Sequence, residues 1–173
     1  VRSRRQRQMC IRDRVYGKER TGDAAQSIHS NIYKSRPDIN AVAHAHPMYG
    51  KTFSTLNKEL KPITQDSCAF YKRTATFTDY DGVANGPDEG INIAKALADK
   101  DFLILQNHGI LTTGTMVETT LWYFLNMEEA CKSQLLAEAV GEPIVIPDKV
   151  AIHTRDYVAN DLSAFARIQP LLD

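Results

Sequence analysis

The residues of this chain best suited to chemistry are three histidines, His44, His46 and His108. The first two stand two apart in the stretch 39–46, which is short, carries Val42 between alanines, ends at Pro47 and reads as a buried strand. Side chains alternate along a strand, so both imidazoles point to the same face, a chelating arrangement. His108 follows the near-continuous apolar run 102–105, a central strand by its composition. It precedes Gly109, which permits a tight turn and a close backbone approach. Three neutral imidazoles around one ion leave a fourth position open, the donor set of a catalytic zinc that acts as a Lewis acid or activates water. Taken alone, the pair His44 and His46 is read more simply as two histidines ending a strand, hydrogen-bonded to solvent or backbone.

These side chains need elements to hold them. Ala25, Ile28 and Ile32 recur at three- and four-residue steps, which predicts a helix over 23–35. Asp23 can cap that helix, and Arg36-Pro37 stops it, because the residue before proline is pushed out of the helical region. A second helix is expected over 48–56. Residues 60–77 mix apolar and β-branched types and read as strands around a loop, followed by the turn-rich 79–82. Pro87 opens a helix through Ala98, with Asp88 and Glu89 near its positive end. After Gly114 the longest periodic segment sets Val117, Leu121, Phe124, Leu125, Cys131, Leu135 and Ala139 on one stripe of a helix that ends at Gly141. Beyond Pro143 the chain reads as a turn-rich arm over the surface or a neighbouring subunit. Helices alternating with strands predict an α/β fold, a sheet with helices on its faces.

Lesser candidates carry bland readings. His29 reads as a packed histidine on the first helix, and Asn107 as a turn residue or a group that orients His108. Tyr71, Tyr80 and Tyr123 could each supply a hydroxyl, but aromatics beside strands and on long helices are mostly core. Glu118, Glu128 and Glu129 read as the solvated face of the long helix. His153 falls in the arm, where a role across a subunit interface has no partner motif to support it.

At 173 residues the chain fits one core. No apolar run approaches the ~20 residues of a spanning helix, so no membrane segment is expected. Formal net charge is +0, yet residues 1–14 hold six arginines against one aspartate, net +5, which leaves −5 on the rest. A mildly acidic body argues against a nucleic-acid face. Three cysteines at wide, unpatterned spacing suggest neither a disulfide framework nor a C-x-x-C site, and point to a reducing, cytoplasmic setting. Residues 1–14, ending MCIRDR, resemble translated sequencing-adapter read-through. They are expected to be a non-native or disordered segment, with residues 15–173 forming a partial domain whose natural chain begins upstream of Val15.

Other His-x-His systems fit poorly: a cupin needs an acid a few residues on and an all-β pattern, and an amidohydrolase barrel needs a longer chain. The order and spacing of four stretches fit better. Residues 28–47 (IHSNIYKSRPDINAVAHAHP), 62–66 (PITQD), 103–111 (LILQNHGIL) and the helix 122–141 together resemble the class II aldolase/adducin family, over about residues 22–141. The resemblance implies a three-layer α/β/α sandwich, truncated at its N-terminal side, in which His44, His46 and His108 bind Zn2+ or another divalent metal. It also implies a homotetramer with sites at subunit boundaries. In the family's sugar-phosphate aldolases a serine pair grips the substrate phosphate and a glutamate serves as acid/base. Those positions here read Asp23-Ala24 and Ala25. Alanine moves no proton, and aspartate repels a phosphate. The reading is therefore a metal-dependent, aldolase- or lyase-like protein for a small, unphosphorylated hydroxy-carbonyl compound, its base unassigned. The alternative is an adducin-like module that binds actin and spectrin of the cytoskeleton without catalysis. Adducins continue into a long basic extension, and this chain stops soon after Pro170, which favours the enzyme-like reading.

Overall fold

The computed structural model describes residues 23–80, 82 and 87–171. The basic segment 1–14, the capping of the first helix and Asp81 lie outside the described residues.

Helix α1 (Asp23–Ser35) buries Ile28 and Ile32 but leaves Ala25 exposed. The Arg36-Pro37-Asp38 segment that follows is also a clasp. The Arg36 guanidinium pairs with Asp38 and donates to the carbonyls of Ala98 and Lys100, tying the end of α1 to the segment that leads into strand 102–105. Strand β1 is Ala41–Ala45, so His46 lies just beyond it, and α2 is Met48–Ser54. The stretch 60–77, expected as strands around a loop, contains a 3-10 helix, Asp66–Phe70, and a single strand, β2 (Thr74–Phe77). Ser67 and Thr64 exchange side-chain and backbone hydrogen bonds there, which favours a turn over extension. Helix α3 (Pro87–Leu97) ends at Ala98, which adopts φ 48°.

Strand β3 (Phe102–Leu105) returns directly as β4 (Gly109–Gly114), an unforeseen strand. The sheet of described residues has the order β1-β4-β3-β2, with β4 antiparallel to both neighbours and β2 parallel to β3. Alternation sends Phe102 and Ile104 to one face and Leu103 and Leu105 to the other. On the first face they join Ile110, Phe53, Trp122, Tyr123 and Met127. On the second they join Leu111, Ile28, Ile32, Ile93 and Leu97 of α1 and α3. Helices thus cover both faces, the α/β sandwich expected.

Helix α4 (Val117–Val140) ends at Gly141. Of the apolar stripe read from the sequence, Cys131 is buried and Leu121, Phe124 and Leu135 pack against the core, but the centre of the buried face lies beside that stripe. Thr119, Thr120, Tyr123, Met127, Ala130, Cys131 and Gln134 face the core, while Val117, Leu125 and Leu136 are exposed. The polar members are satisfied: Thr112 Oγ1 donates to the Thr120 carbonyl, and Gln134 accepts from the Lys61 N–H. Glu128 also departs from a solvated face, because its two oxygens accept hydrogen bonds from the N–H groups of Tyr49 and Gly50. Glu129 does sit at the surface, 3.5 Å from Lys132. Beyond Pro143 most of the described residues form helices in place of the turn-rich arm expected. Helices α5 (Asp148–Val158) and α6 (Asp161–Ile168) bury Ala151, Val158, Ala164 and Ile168, the last three within the α4 side of the core. His153 is exposed on α5. Asn160 caps α6 by accepting from the Ser163 N–H.

Candidate metal centre

Residue 44 sits on the sheet face packed by α1 and α3, because it pairs across the ladder with Leu111. His46 leaves the strand end on the same side, and His108 closes the hairpin between β3 and β4 from Gln106-Asn107-His108. The three imidazoles converge: ring centroids lie 5.2 Å apart for His44 and His46, 4.8 Å for His44 and His108, and 4.4 Å for His46 and His108. One nitrogen from each lies within 4.8 Å of the other two. Ligand nitrogens sharing one tetrahedral zinc stand about 3.4 Å apart, so small ring rotations suffice.

The donor chemistry fits a cation. Nδ1 of His44 is 2.9 Å from the Ile110 carbonyl oxygen, which can only accept. Nδ1 therefore carries the proton and Nε2 keeps its lone pair for a ligand, the support that metal-binding histidines commonly have. Burial pushes the His44 imidazole down to about 4, outweighing the carbonyl that favours its charged form. His108 is lowered too, first by burial and then by His46. Both rings are neutral at ordinary pH, as ligation requires.

The loop explains its own sequence. Asn107 adopts φ 56°, the left-handed region that asparagine tolerates, and its N–H donates to the Ser54 carbonyl. It is exposed and serves the turn. The positive φ of this turn belongs to Asn107, and Gly109 supplies the close backbone approach expected of it. A Cβ there would stand 2.5 Å from the Ala45 carbonyl oxygen and 3.1 Å from the His46 ring.

Of the candidate tyrosines, Tyr80 neighbours the cluster, its half-exposed ring centred 6.2 Å from that of His108. Tyr123 is core, and Tyr71 donates to Asp148 on α5. His29 packs edge-on to Tyr33 on α1, and burial lowers its pKa. Two supports have no clear mark in the sequence. The Ile110 carbonyl has no side-chain signature, and Glu128 has only its place between buried Met127 and Cys131 on the helix.

A mixed sheet covered by helices on both faces, with three imidazoles at one strand end and one hairpin, defines an α/β domain with a candidate metal site. The profile of the Class II Aldolase and Adducin N-terminal domain matches residues 7–135, and the chain belongs to that family. It is 38% identical over 157 residues to the decarboxylase NovR of Streptomyces niveus, covering 91% of this chain and 58% of that one. Identity is also 38% over 157 residues to the 4-hydroxy-3-prenylphenylpyruvate oxygenase/4-hydroxy-3-prenylbenzoate synthase of Streptomyces roseochromogenus subsp. oscitans, covering 91% and 57%. Among solved structures, the L-fuculose 1-phosphate aldolase from Glaciozyma antarctica PI12 superposes with a TM-score of 0.80 at 37% identity, covering 91% of this chain and 61% of that one. The chain thus spans less than two thirds of the length of these relatives.

Proposed function

We propose that this protein is a metal-dependent carbon–carbon lyase acting on a small, unphosphorylated hydroxy-carbonyl compound, with His44, His46 and His108 as the ligands of Zn2+ or another divalent ion. The observation that carries the reading is the approach of three imidazole nitrogens to within 4.8 Å of one another. A bound ion supplies electrostatic stabilisation of the negative charge that develops on substrate oxygens as a carbon–carbon bond breaks. An aldolase and a decarboxylase share that demand, and relatives of both names occur.

The chain's own residues supply the rest. His44 is held in its ligating tautomer by Ile110. Ala25, exposed on α1 where sugar-phosphate aldolases of the family carry glutamate, offers no proton. The hydroxyl of Tyr80, whose ring neighbours His108, takes the acid/base role. The exposed Val117, Leu125, Leu136 and Val140 along α4 support assembly as a homotetramer.

Metal content of the wild-type protein beside His46→Ala tests the ligand set, and full retention by the variant counts against it. A panel of hydroxy-aldehydes and hydroxy-ketones, each with and without phosphate, tests the substrate class. Turnover confined to unphosphorylated members is expected. Metal retention with no turnover across the panel favours an adducin-like interaction module instead.

A further inference from the structure

We propose that Glu128 is a positioning residue for the histidine centre, its carboxylate fixing the chain just after His46 so that this imidazole stays against the other two. The inference rests on the metal-binding role proposed for the three histidines.

His46 is the least constrained of the three. The last ladder pair of β1 is Ala45 with Ile110, so no strand pairing holds residue 46, and its side chain is the exposed member of the cluster. Its position depends on the segment C-terminal to it. Pro47, at φ −67° and ψ 159°, leads into α2, and the N–H groups of that helix's first turn have no partners within the helix. Pro47 cannot cap them, having no polar side chain. Glu128 does so from α4, with Oε1 2.8 Å from the Tyr49 nitrogen and Oε2 2.6 Å from the Gly50 nitrogen. An ionised acceptor shared by two backbone donors is a strong, directional tether. One helical turn on, Lys132 Nζ lies 5.2 Å from the centre of the Tyr49 ring, a second grip on the same turn.

The geometry joins this tether to the support of His44. A Cβ on Gly50 would stand 3.1 Å from Glu128 Oε2 and 3.0 Å from two side-chain carbons of Ile110. Ile110 is the residue whose carbonyl fixes the His44 tautomer. One packed junction of Gly50, Ile110 and Glu128 therefore sets the spacing between the two strand-end histidines. Without the carboxylate, two partly buried N–H groups lose their acceptors, the first turn of α2 loosens, and His46 must be ordered at the moment of binding.

Cobalt(II) is the probe, titrated into the full chain against a competing chelator, with a urea midpoint recorded for every variant. Glu128→Ala is expected to bind cobalt about 10- to 100-fold more weakly than wild type, the range for supports of ligating side chains, and to change the visible cobalt spectrum. Glu128→Gln, with one acceptor oxygen for two donors, falls between. Gln134→Ala is the control. It lies on the same helix but serves the Glu59–Lys61 segment, so it lowers stability and leaves cobalt affinity within about twofold of wild type by independence of separated sites. A Glu128→Ala protein with wild-type affinity and spectrum overturns the inference. So does a Gln134→Ala protein whose affinity falls equally far, since affinity would then follow stability alone. If wild type binds no cobalt, the metal reading fails and imidazole nitrogen resonances of the metal-free protein decide. Glu128→Ala should shift or broaden the His46 signals and spare those of His44. Unchanged His46 signals overturn the inference.

Discussion

At Gly109 the candidate site is constrained by space, not by conformational freedom. The hydrogen that replaces a side chain faces the Ala45 carbonyl oxygen, a backbone atom locked in the β1–β4 ladder, and the edge of the His46 ring. Gly109→Ala would force β1 and β4 apart where His44 and His46 emerge. Overpacking of this kind costs about 1–3 kcal/mol, so the urea midpoint should drop accordingly and metal affinity with it. An alanine variant of unchanged stability would show that the strands give way freely. Tyr80→Phe acts at the same scale through chemistry. It removes only a hydroxyl from a half-exposed ring, so stability and metal content should stay at wild-type values. Turnover should fall by about 10²- to 10⁴-fold if that hydroxyl transfers the proton, and a kcat close to wild type would remove it from the mechanism. The convergence of the three histidines was legible because residue type and strand alternation both leave marks in a sequence. Their supports were not: a carbonyl such as that of Ile110 carries no residue-type signal, and Glu128 looks like any helix-surface acid.

Among the elements, the sequence was legible where apolarity and burial coincide, and misleading where they part. Strand β3 and helix α1 bury Phe102–Leu105, Ile28 and Ile32, residues whose types announce it. Strand β4 does not, because it is closed by glycine at both ends and buries Thr112 and Thr113 beside Ile110 and Leu111, which erases the alternation. Helix α4 follows the expected pattern only in part: Leu121, Phe124, Cys131 and Leu135 meet the core, but threonines and Gln134 are buried with hydrogen-bond partners while Val117 and Leu125 face outward. Helices α5 and α6 escaped notice because two of their buried contacts, Ala151 and Ala164, are alanines, too small to mark a hydrophobic face. That they belong to the core is testable at Ile168, fully buried against the α4 side of the sheet. Ile168→Ala should cost about 2–5 kcal/mol in urea unfolding. The neighbouring Phe165, more than a third exposed, should cost far less on truncation. Equal, small losses at both positions would make the two helices the loose arm that their sequence resembles.

Taken as a whole molecule, the fold places its desolvated imidazoles on one side of the sheet, and their burial sets how stability responds to acid. His29, His44 and His108 all have pKa values lowered by burial, His44 to about 4. In the unfolded chain each returns to about 6.5, so as pH falls below that value the unfolded state binds more protons than the folded one, for His44 down to about 4. Stability of the metal-free protein is then fully present above about pH 6.5 and declines as pH falls toward 4. Glu138 acts in a separate, lower window. The hydrogen bond from Lys58 is the main cause that holds its carboxyl down to about 2, so its contribution persists until pH falls below the ordinary carboxylate range. The two windows barely overlap, which isolates the imidazoles. With chelator present, the urea midpoint should be level from pH 8 to 7 and fall steadily from 6.5 to 4.5. His44→Gln should make that decline shallower while leaving the part below pH 4 intact. A divalent ion should steepen the wild-type decline, because a ligand must be neutral to bind and each proton taken up by the cluster displaces metal stabilisation. A midpoint that stays level through pH 5 in the chelated wild type would mean that these rings are solvated in the folded chain, and that the face of the sheet carrying them is open to water.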